Sequence, residues 1–450
     1  MPLQPNALTA KENENSNMID DDSKYFCLSG DIPVGGPSTW HVTDWDQRRV
    51  VSVTMDGEQD DESIAIEHFG RYSSQLSPDI YRIYVSHTGE IISTYTDSKD
   101  DPTCCVYYPL LHESFLPEGI QIQTVRRDEL EELERLGPDV DLVAYPPCLE
   151  ASAKKLTLTL GQVVFKYYWL WQYAQRSWKE MNLWLRLRRH PDIVPFDRIV
   201  VDELEGRVVG FTSIYVPGGS LEKNKSRVFK LEWLRQLIKV VDDLNLRYGI
   251  AHQDIAPRNI VVDESTDSVM LLDFNFAARI NRPSSPGESE SYLEDRNDVK
   301  GVIFTTYEII TRDKSLRSRP HEEQNLDDLR LGSLEWAKHP EVKLDHPVAS
   351  YQLILQEWRD RRAGDLNPLH PGHFTDAIDW PSLPKPPQKT ISNKGPHGQL
   401  SLFTVDMWDE RRQDVRDRGD RVLSWERPPQ RLLNNGTRVL ASGEVINCSN

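Results

Sequence analysis

The densest chemical signal in the chain runs from Gly249 to Val262 (Gly-Ile-Ala-His-Gln-Asp-Ile-Ala-Pro-Arg-Asn-Ile-Val-Val). It is followed by Met270-Leu271-Leu272-Asp273-Phe274-Asn275. Within it, His252, Asp254 and Asn259 keep a His-x-Asp-x4-Asn spacing, and Asp273 lies fourteen residues beyond Asn259. Taken singly these residues say little: an aspartate in a loop is a turn former and an asparagine a cap. Together, two carboxylates and an amide oxygen suit phosphoryl transfer, where catalysis is chiefly positioning and cancellation of charge. One carboxylate faces the attacking hydroxyl, while the second and the amide hold Mg2+ on the phosphates. Asp254 fits the first role, Asp273 and Asn259 the second, and His252 would brace the loop.

The surrounding pattern supplies elements to carry such a set. Leu156 to Tyr168 reads as β, with Lys166 interrupting the apolar run Val163-Val164-Phe165-Lys166-Tyr167-Tyr168. Arg176 to Arg189 reads as a helix with Met181, Trp184, Leu185 and Leu187 inward, ended by His190-Pro191. Ile199-Val200-Val201 and Arg207 to Phe211 read as strands around Glu205-Gly206, and Pro217-Gly218-Gly219 as a break. Ser226 to Tyr248 reads as a long helix, because Leu231, Leu234, Leu237, Ile238, Val241 and Leu244 share one face. Further helices are expected near Asp298–Thr311 and Ser350–Arg362. A few strands with one helix, a glycine break and then mostly helices predict an α+β fold of two lobes with a crevice between them.

The two motifs resemble the catalytic loop and the metal-binding Asp-Phe-Gly of the protein-kinase superfamily, over about residues 140–365. The look of Val164-Phe165-Lys166-Tyr167-Tyr168, His252-Gln253-Asp254 and Asp273-Phe274-Asn275 is also similar to that of uncharacterised fungal kinase-like proteins. The resemblance implies a bilobal fold, a small β-rich lobe over residues 140–217 and a large helical lobe over 218–379. It implies ATP and Mg2+ as cofactors. Lys166, 88 residues before Asp254, would reach the α- and β-phosphates, held there by an ion pair with Glu180. Backbone groups of Ile214 and Val216, in Ser213-Ile214-Tyr215-Val216-Pro217-Gly218-Gly219, would bond an adenine edge. Asp298 would bond the backbone of the catalytic loop.

The chain departs from that family at several positions. No Gly-x-Gly-x-x-Gly precedes Lys166, and the nearest glycine is Gly161. Gln253 replaces the usual arginine beside the catalytic aspartate. Ala256 stands where many kinases place a lysine on the γ-phosphate, and Arg258 would substitute for it. Asn275 replaces glycine, at a position where left-handed backbone is tolerable for asparagine. The 24 positions from Asp273 to Asn297 contain no Ala-Pro-Glu, so a peptide platform of the usual kind is not visible. These features leave an ATP-dependent phosphotransferase acting on a protein or small-molecule hydroxyl, a pseudokinase binding nucleotide or protein, and a scaffold built around the N-terminal region.

Composition sets the wider frame. The 450 residues are 38% hydrophobic and 28% charged, enough for two or three globular domains. No apolar run reaches 18 residues and the first twenty residues are polar, so neither a membrane span nor a secretory signal is expected. Cys27, Cys104, Cys105, Cys148 and Cys448 have no CxxC spacing, which argues against disulfide frameworks and zinc and for a cytoplasmic or nuclear home. The net charge of −18 is uneven: residues 1–150 carry −19 and residues 151–450 carry +1. The acidic third would repel nucleic acid. The expected organisation is a disordered start (1–24), an acidic accessory α/β region (25–139), the two lobes, and a poorly ordered tail with little core (380–450). Within the accessory region Asp79 to Thr96 reads as a β-hairpin and Arg127 to Leu136 as a short amphipathic helix.

Overall fold

The computed structural model describes Ile19 and residues 21–112, 116–117, 121–145, 161–187, 189–280, 291–331, 336–364, 374–394 and 400–446. Its elements are α+β, and the chain divides into two compact units. One unit comprises residues 1–105, 128–146 and 410–450; the other comprises 106–127 and 147–409.

The first unit holds a five-stranded sheet in the order Tyr25–Asp31, Ser38–Asp44, Arg49–Met55, Arg82–Val85, Ile91–Tyr95. The helix Glu62–Gly70 covers one face, capped by the Asp61 carboxylate on the Ser63 N–H. Val42, Val51, Val53, Phe69, Ile83 and Val85 form its core. The expected hairpin is present: Arg82–Val85 pairs antiparallel with Ile91–Tyr95. The expected helix over 127–136 is not. Glu131–Gly137 is instead a strand paired with Val140–Ala144 and with Arg438–Leu440. Its charged pattern looks helical because the side chains that go inward, Glu132 and Arg135, are themselves charged.

The same charges correct the expectation of a coreless tail. Trp425, Arg427, Val439 and Ala441 are buried. Arg427 reaches Glu132 at 2.7 Å and Asp141 at 2.8 Å, while Arg135 pairs with Glu132 at 2.6 Å and also with Asp46. Arginine-rich sequence reads as solvated, yet here the guanidinium groups are packed against carboxylates inside the unit.

In the second unit β1 (Thr124–Arg126), β2 (Gln162–Tyr167), β3 (Phe196–Val201) and β4 (Val208–Ile214) lie in the order β2-β4-β3-β1. β1 and β3 are parallel and the other pairs antiparallel. Alternation along β2 buries Val163, Phe165 and Tyr167 and puts Lys166 on the other face. β4 runs close beside it because residue 210 is glycine; a Cβ there would meet the Lys166 carbonyl oxygen at 2.1 Å. The helix α1 (Ala174–Leu187) follows β2, as its periodicity predicts.

The long helix starts later than expected. Val228–Phe229 pairs with Lys343–Leu344, and α2 covers Leu231–Asp242 before widening into a π-helical turn, Asp243–Arg247. A hairpin of β5 (Ile260–Asp263) and β6 (Ser268–Leu271) comes next. Then come α3 (Asp298–Thr311) and α4 (Val348–Gly364), both at their predicted places. Leu234, Leu237, Val241, Phe274, Val302, Ile303, Tyr351 and Leu355 share one continuous core. Trp380 is buried, and the segment before it is stitched down: the N–H groups of Asp376 and Ile378 donate to the carbonyls of Arg247 and Tyr248.

Candidate functional site

Every sequence-predicted site residue lies in the second unit. Glu180 is on α1, two positions after the buried Trp178, and is itself buried facing β2. Lys166 Nζ lies 2.5 Å from Glu180 Oε1 and 2.6 Å from Asp273 Oδ1. The same Glu180 oxygen accepts the N–H of Phe274 at 3.1 Å, so one carboxylate ties the lysine to the turn after β6. Burial acts to depress the lysine's pKa, but Asp273 and Glu180 outweigh it and hold it above its ordinary value. For Asp273, burial pushes upward and Lys166 pulls its carboxyl below the usual range. A charged lysine facing an ionised Asp273 is therefore the resting state of this pair.

Aromatic packing fixes the same neighbourhood. Rings follow one another from Phe211 on β4 to Trp184 on α1 (5.5 Å), to Phe274 (5.7 Å) and to His252 (4.9 Å). His252 Nε2 lies 3.0 Å from the Leu272 carbonyl oxygen and Nδ1 accepts the Asp254 N–H at 3.3 Å. A carbonyl only accepts and an amide only donates, so the two partners select the tautomer with its proton on Nε2. His252 thus braces the loop, as its place in the motif predicts.

The loop is anchored from below by α3. Asp298 is buried and accepts the N–H groups of His252 (2.8 Å) and Gln253 (2.7 Å) and the Asn245 amide (2.8 Å). Thr305 Oγ1 donates to the Ile255 carbonyl at 2.9 Å. Gly301 lets the helix approach, since a Cβ there would sit 2.9 Å from Ile255 Cβ. Two non-glycine residues of the site, Gln253 (φ 62°) and Asp273 (φ 69°), adopt left-handed backbone, a costly geometry that surrounding contacts must impose. The left-handed residue of the second motif is therefore Asp273, and the turn Phe274 to Ala277 closes through an ordinary 3.1 Å hydrogen bond.

Asp254 and Asn259 sit together. Asn259 Nδ2 donates to the Asp254 carbonyl and carboxylate, both at 2.8 Å, which reserves the Asn259 amide oxygen as an acceptor. Arg258 Nη2 lies 2.6 and 2.7 Å from the two Asp254 carboxylate oxygens. The residue expected on a γ-phosphate is thus placed on the neighbouring carboxylate. At the break after β4, the Ile214 N–H donates to the Pro195 carbonyl at 3.0 Å, and the Val216 carbonyl accepts from Gly219 at 3.2 Å. Residues 146–160, where a loop cradling phosphates would precede Lys166, lie outside the described residues.

Sequence reasoning did not find Asn245, Trp184 or the bridging role of Gln253, whose side chain donates to the Phe276 carbonyl (2.8 Å) and accepts the Leu293 N–H (2.6 Å). Asn245 carries one available signal: a polar residue on the otherwise apolar side of the predicted helix. Gln253 acts through contacts 23 and 40 residues away, and Trp184 through rings 27 and 90 residues away, so neither has one.

No family model matches the chain. Individual proteins do. It is similar to the CBL-interacting protein kinase 12 of rice, at 33% identity over 22% of this chain and 18% of that protein. The serine/threonine-protein kinase CHK1 of budding yeast matches at 22% identity over 31% of this chain and 30% of that protein. The ribosomal protein S6 kinase alpha-4 of mouse matches at 32% identity over 23% and 14%. The chain spans less than a third of the length of the curated relatives it matches. These partial, low-identity likenesses support a protein-kinase-like superfamily as the setting in which the cluster of Lys166, Glu180, Asp273, Asp254 and Asn259 is to be read.

Proposed function

We propose that this chain is an ATP- and Mg2+-dependent phosphotransferase of the protein-kinase-like kind, with a bilobal site, moving the γ-phosphoryl group to a serine, threonine or other hydroxyl acceptor. The observation that carries this reading is Lys166 Nζ held between Glu180 and Asp273, with Asp254 and Asn259 paired on the adjoining loop. Lys166 presents a point charge suited to phosphate oxygens. Asp254 would face the acceptor hydroxyl, and Ile214 and Val216 would edge the adenine.

The donor set fits Mg2+. Among the described residues no group of three or more His, Cys, Asp or Glu converges as a self-sufficient metal site. Mg2+ does not require one, because it takes one or two protein oxygens and fills its octahedron with phosphates and water. Asp273 and Asn259 are such a pair, and the ion held there would neutralise charge on the phosphates.

One observation favours a second reading. The Arg258 guanidinium covers both carboxylate oxygens of Asp254, which suits a pseudokinase that binds nucleotide without transfer. Calorimetry of Mg-ATP binding and a turnover assay on Asp254→Asn and Asp273→Asn separate the two. For an enzyme, Asp254→Asn keeps Mg-ATP affinity and lowers turnover by about 10²–10⁴-fold, whereas Asp273→Asn impairs both. Mg-ATP binding by the unaltered chain with no turnover on any acceptor class would decide for the pseudokinase, and unchanged behaviour of both variants would reject both readings.

A further inference from the structure

Two depressions include residues of the segment that carries Asp254 in their lining. The first, open to solvent and about 300 Å3, includes Gln253, Asp254, Arg296, Lys300, Arg317 and His321 in its lining. The second, also open and about 640 Å3, includes Pro257 and the apolar side chains of Phe229, Trp233 and Ile309 in its lining, together with Lys225 and with Lys314, which pairs with Glu222 at 2.7 Å. Cations outnumber acids in the first depression, in a chain whose net charge is −18.

The cations of the first depression differ in what already holds them. Arg317 is committed to structure: it donates to Glu308 at 2.6 Å, to Thr305 Oγ1 at 2.9 Å and to the Ile255 carbonyl at 3.2 Å. Lys300 Nζ is held by carbonyl oxygens, that of His321 at 2.8 Å and that of Gln324 at 3.5 Å, with no carboxylate in direct contact among the described residues, while Asp295, Glu294 and Glu322 act on its charge from further off. Arg296 lies half-buried with its guanidinium 4.7 Å from the centre of the Phe276 ring, again a contact that orients the charge and leaves it in place. The Nδ1 atom of His321 is buried with no hydrogen-bond partner among the described residues. Burial first, and then Arg296 and Lys300, hold His321 below the ordinary histidine range, as a positive local field requires. Asp254, the acid on this wall, has its carboxylate covered by Arg258.

A lone small anion would fill one recess. Two recesses that share residues with the Asp254–Arg258 segment, one with more cations than acids in its lining and one largely apolar, suit an extended chain lying along that segment. We propose that the acceptor is an acidic peptide, its hydroxyl residue at Asp254 and its flanking carboxylates on Arg296 and Lys300. This rests on reading Asp254 as the residue that faces the acceptor. Such a peptide also offers Arg258 an alternative carboxylate, which would release Asp254 to the hydroxyl.

The test measures binding, so that it does not depend on turnover. The full chain, with Mg2+ and a non-hydrolysable ATP analogue, is titrated into two labelled peptides by fluorescence anisotropy. One is a serine flanked by glutamates and the other the same serine flanked by lysines. The glutamate peptide should bind at least about tenfold more tightly. Arg296→Glu should abolish the preference while leaving the circular dichroism spectrum and Mg-ATP affinity unchanged. Arg296→Gln, which keeps a polar side chain, should reduce it partway. Equal binding of the two peptides, or an undiminished preference in Arg296→Glu, overturns the proposal. So does displacement of the glutamate peptide by equimolar inorganic phosphate, which would point to a small phosphorylated acceptor. Failure of Mg-ATP binding with the peptide preference intact would reject the phosphotransferase reading alone; turnover on the lysine peptide in preference to the glutamate peptide would reject this proposal alone.

Discussion

Lys166 and Asp273 stand 107 residues apart in the chain, and Lys166 Nζ lies 2.6 Å from Asp273 Oδ1. Glu180 closes the group at 2.5 Å. Lys166 is the cation that both carboxylates share, and burial alone disfavours the charged form of each group, so the lysine's charge is what makes the cluster tolerable inside the protein.

Removing the cation should therefore cost more than removing a surface lysine. Lys166→Met leaves Glu180 and Asp273 facing each other without a counter-charge. The expected loss of stability is about 3–5 kcal/mol, the usual cost of breaking a buried pair from one side, read from urea unfolding. The same variant should lose Mg-ATP binding by calorimetry. Unchanged stability and unchanged affinity would reject the cluster as both a structural and a nucleotide-binding feature.

Asp298 holds the loop by accepting three hydrogen bonds from a buried position. Asp298→Ala strands the N–H groups of His252 and Gln253 and the Asn245 amide, at about 1–3 kcal/mol for each donor left unpaired. Hydrogen exchange of the peptide spanning residues 250–256 should quicken in this variant, and that of Arg82–Val85 in the other unit should not. Uniform acceleration would mean that Asp298 supports global stability and not the loop.

The first unit should be sensitive to acid. Burial works to raise the Glu132 carboxyl, but Arg427 and Arg135 pull it down to about 2. Because the folded value lies below the unfolded one, near 4.3, the stability it contributes is complete above that pH and is lost as the pH falls toward 2. Asp141 beside it is raised by burial and works in the opposite sense. Glu132→Gln should thus flatten the acid limb of the unfolding curve between about pH 4.5 and 2 relative to the unaltered chain. Arg427→Met, which leaves both Glu132 and Asp141 without their nearest shared cation, should cost about 3–5 kcal/mol at pH 7.

Activation by phosphorylation through residue 253 is not expected. A phosphate switch of that kind needs a cation to receive it. Gln253 is neutral, and both ends of its side-chain amide are engaged, by Phe276 and Leu293. Phosphatase treatment should leave turnover within twofold, roughly the error of such assays, and Ser291→Ala should do the same. Ser284, Ser285 and Ser289 lie outside the described residues. A strong loss of turnover after dephosphorylation, reproduced by a Ser→Ala change at 284, 285, 289 or 291, would show that another cation receives the phosphate.

Local pattern carried much of this molecule. The 3.6-residue period over Leu231, Leu234, Leu237, Ile238 and Val241 determined α2, alternation determined the face that Lys166 takes on β2, and the His-x-Asp-x4-Asn spacing determined that Asp254 and Asn259 share one loop. These are short-range effects, legible because neighbouring residues repeat or cap one another. What the chain alone left open was decided by groups distant in sequence. Burial of Glu132, Arg135 and Arg427 turned an expected helix and an expected tail into parts of a packed unit, since a charge enters an interior only where its partner waits. The left-handed backbone fell on Asp273 and not on Asn275, in a turn where Lys166 holds the Asp273 carboxylate, Glu180 the Phe274 N–H and His252 the Leu272 carbonyl. Arg258 settled on Asp254, where a carboxylate one turn away offers two oxygens, and no reading of the loop by itself could weigh that contact against a phosphate.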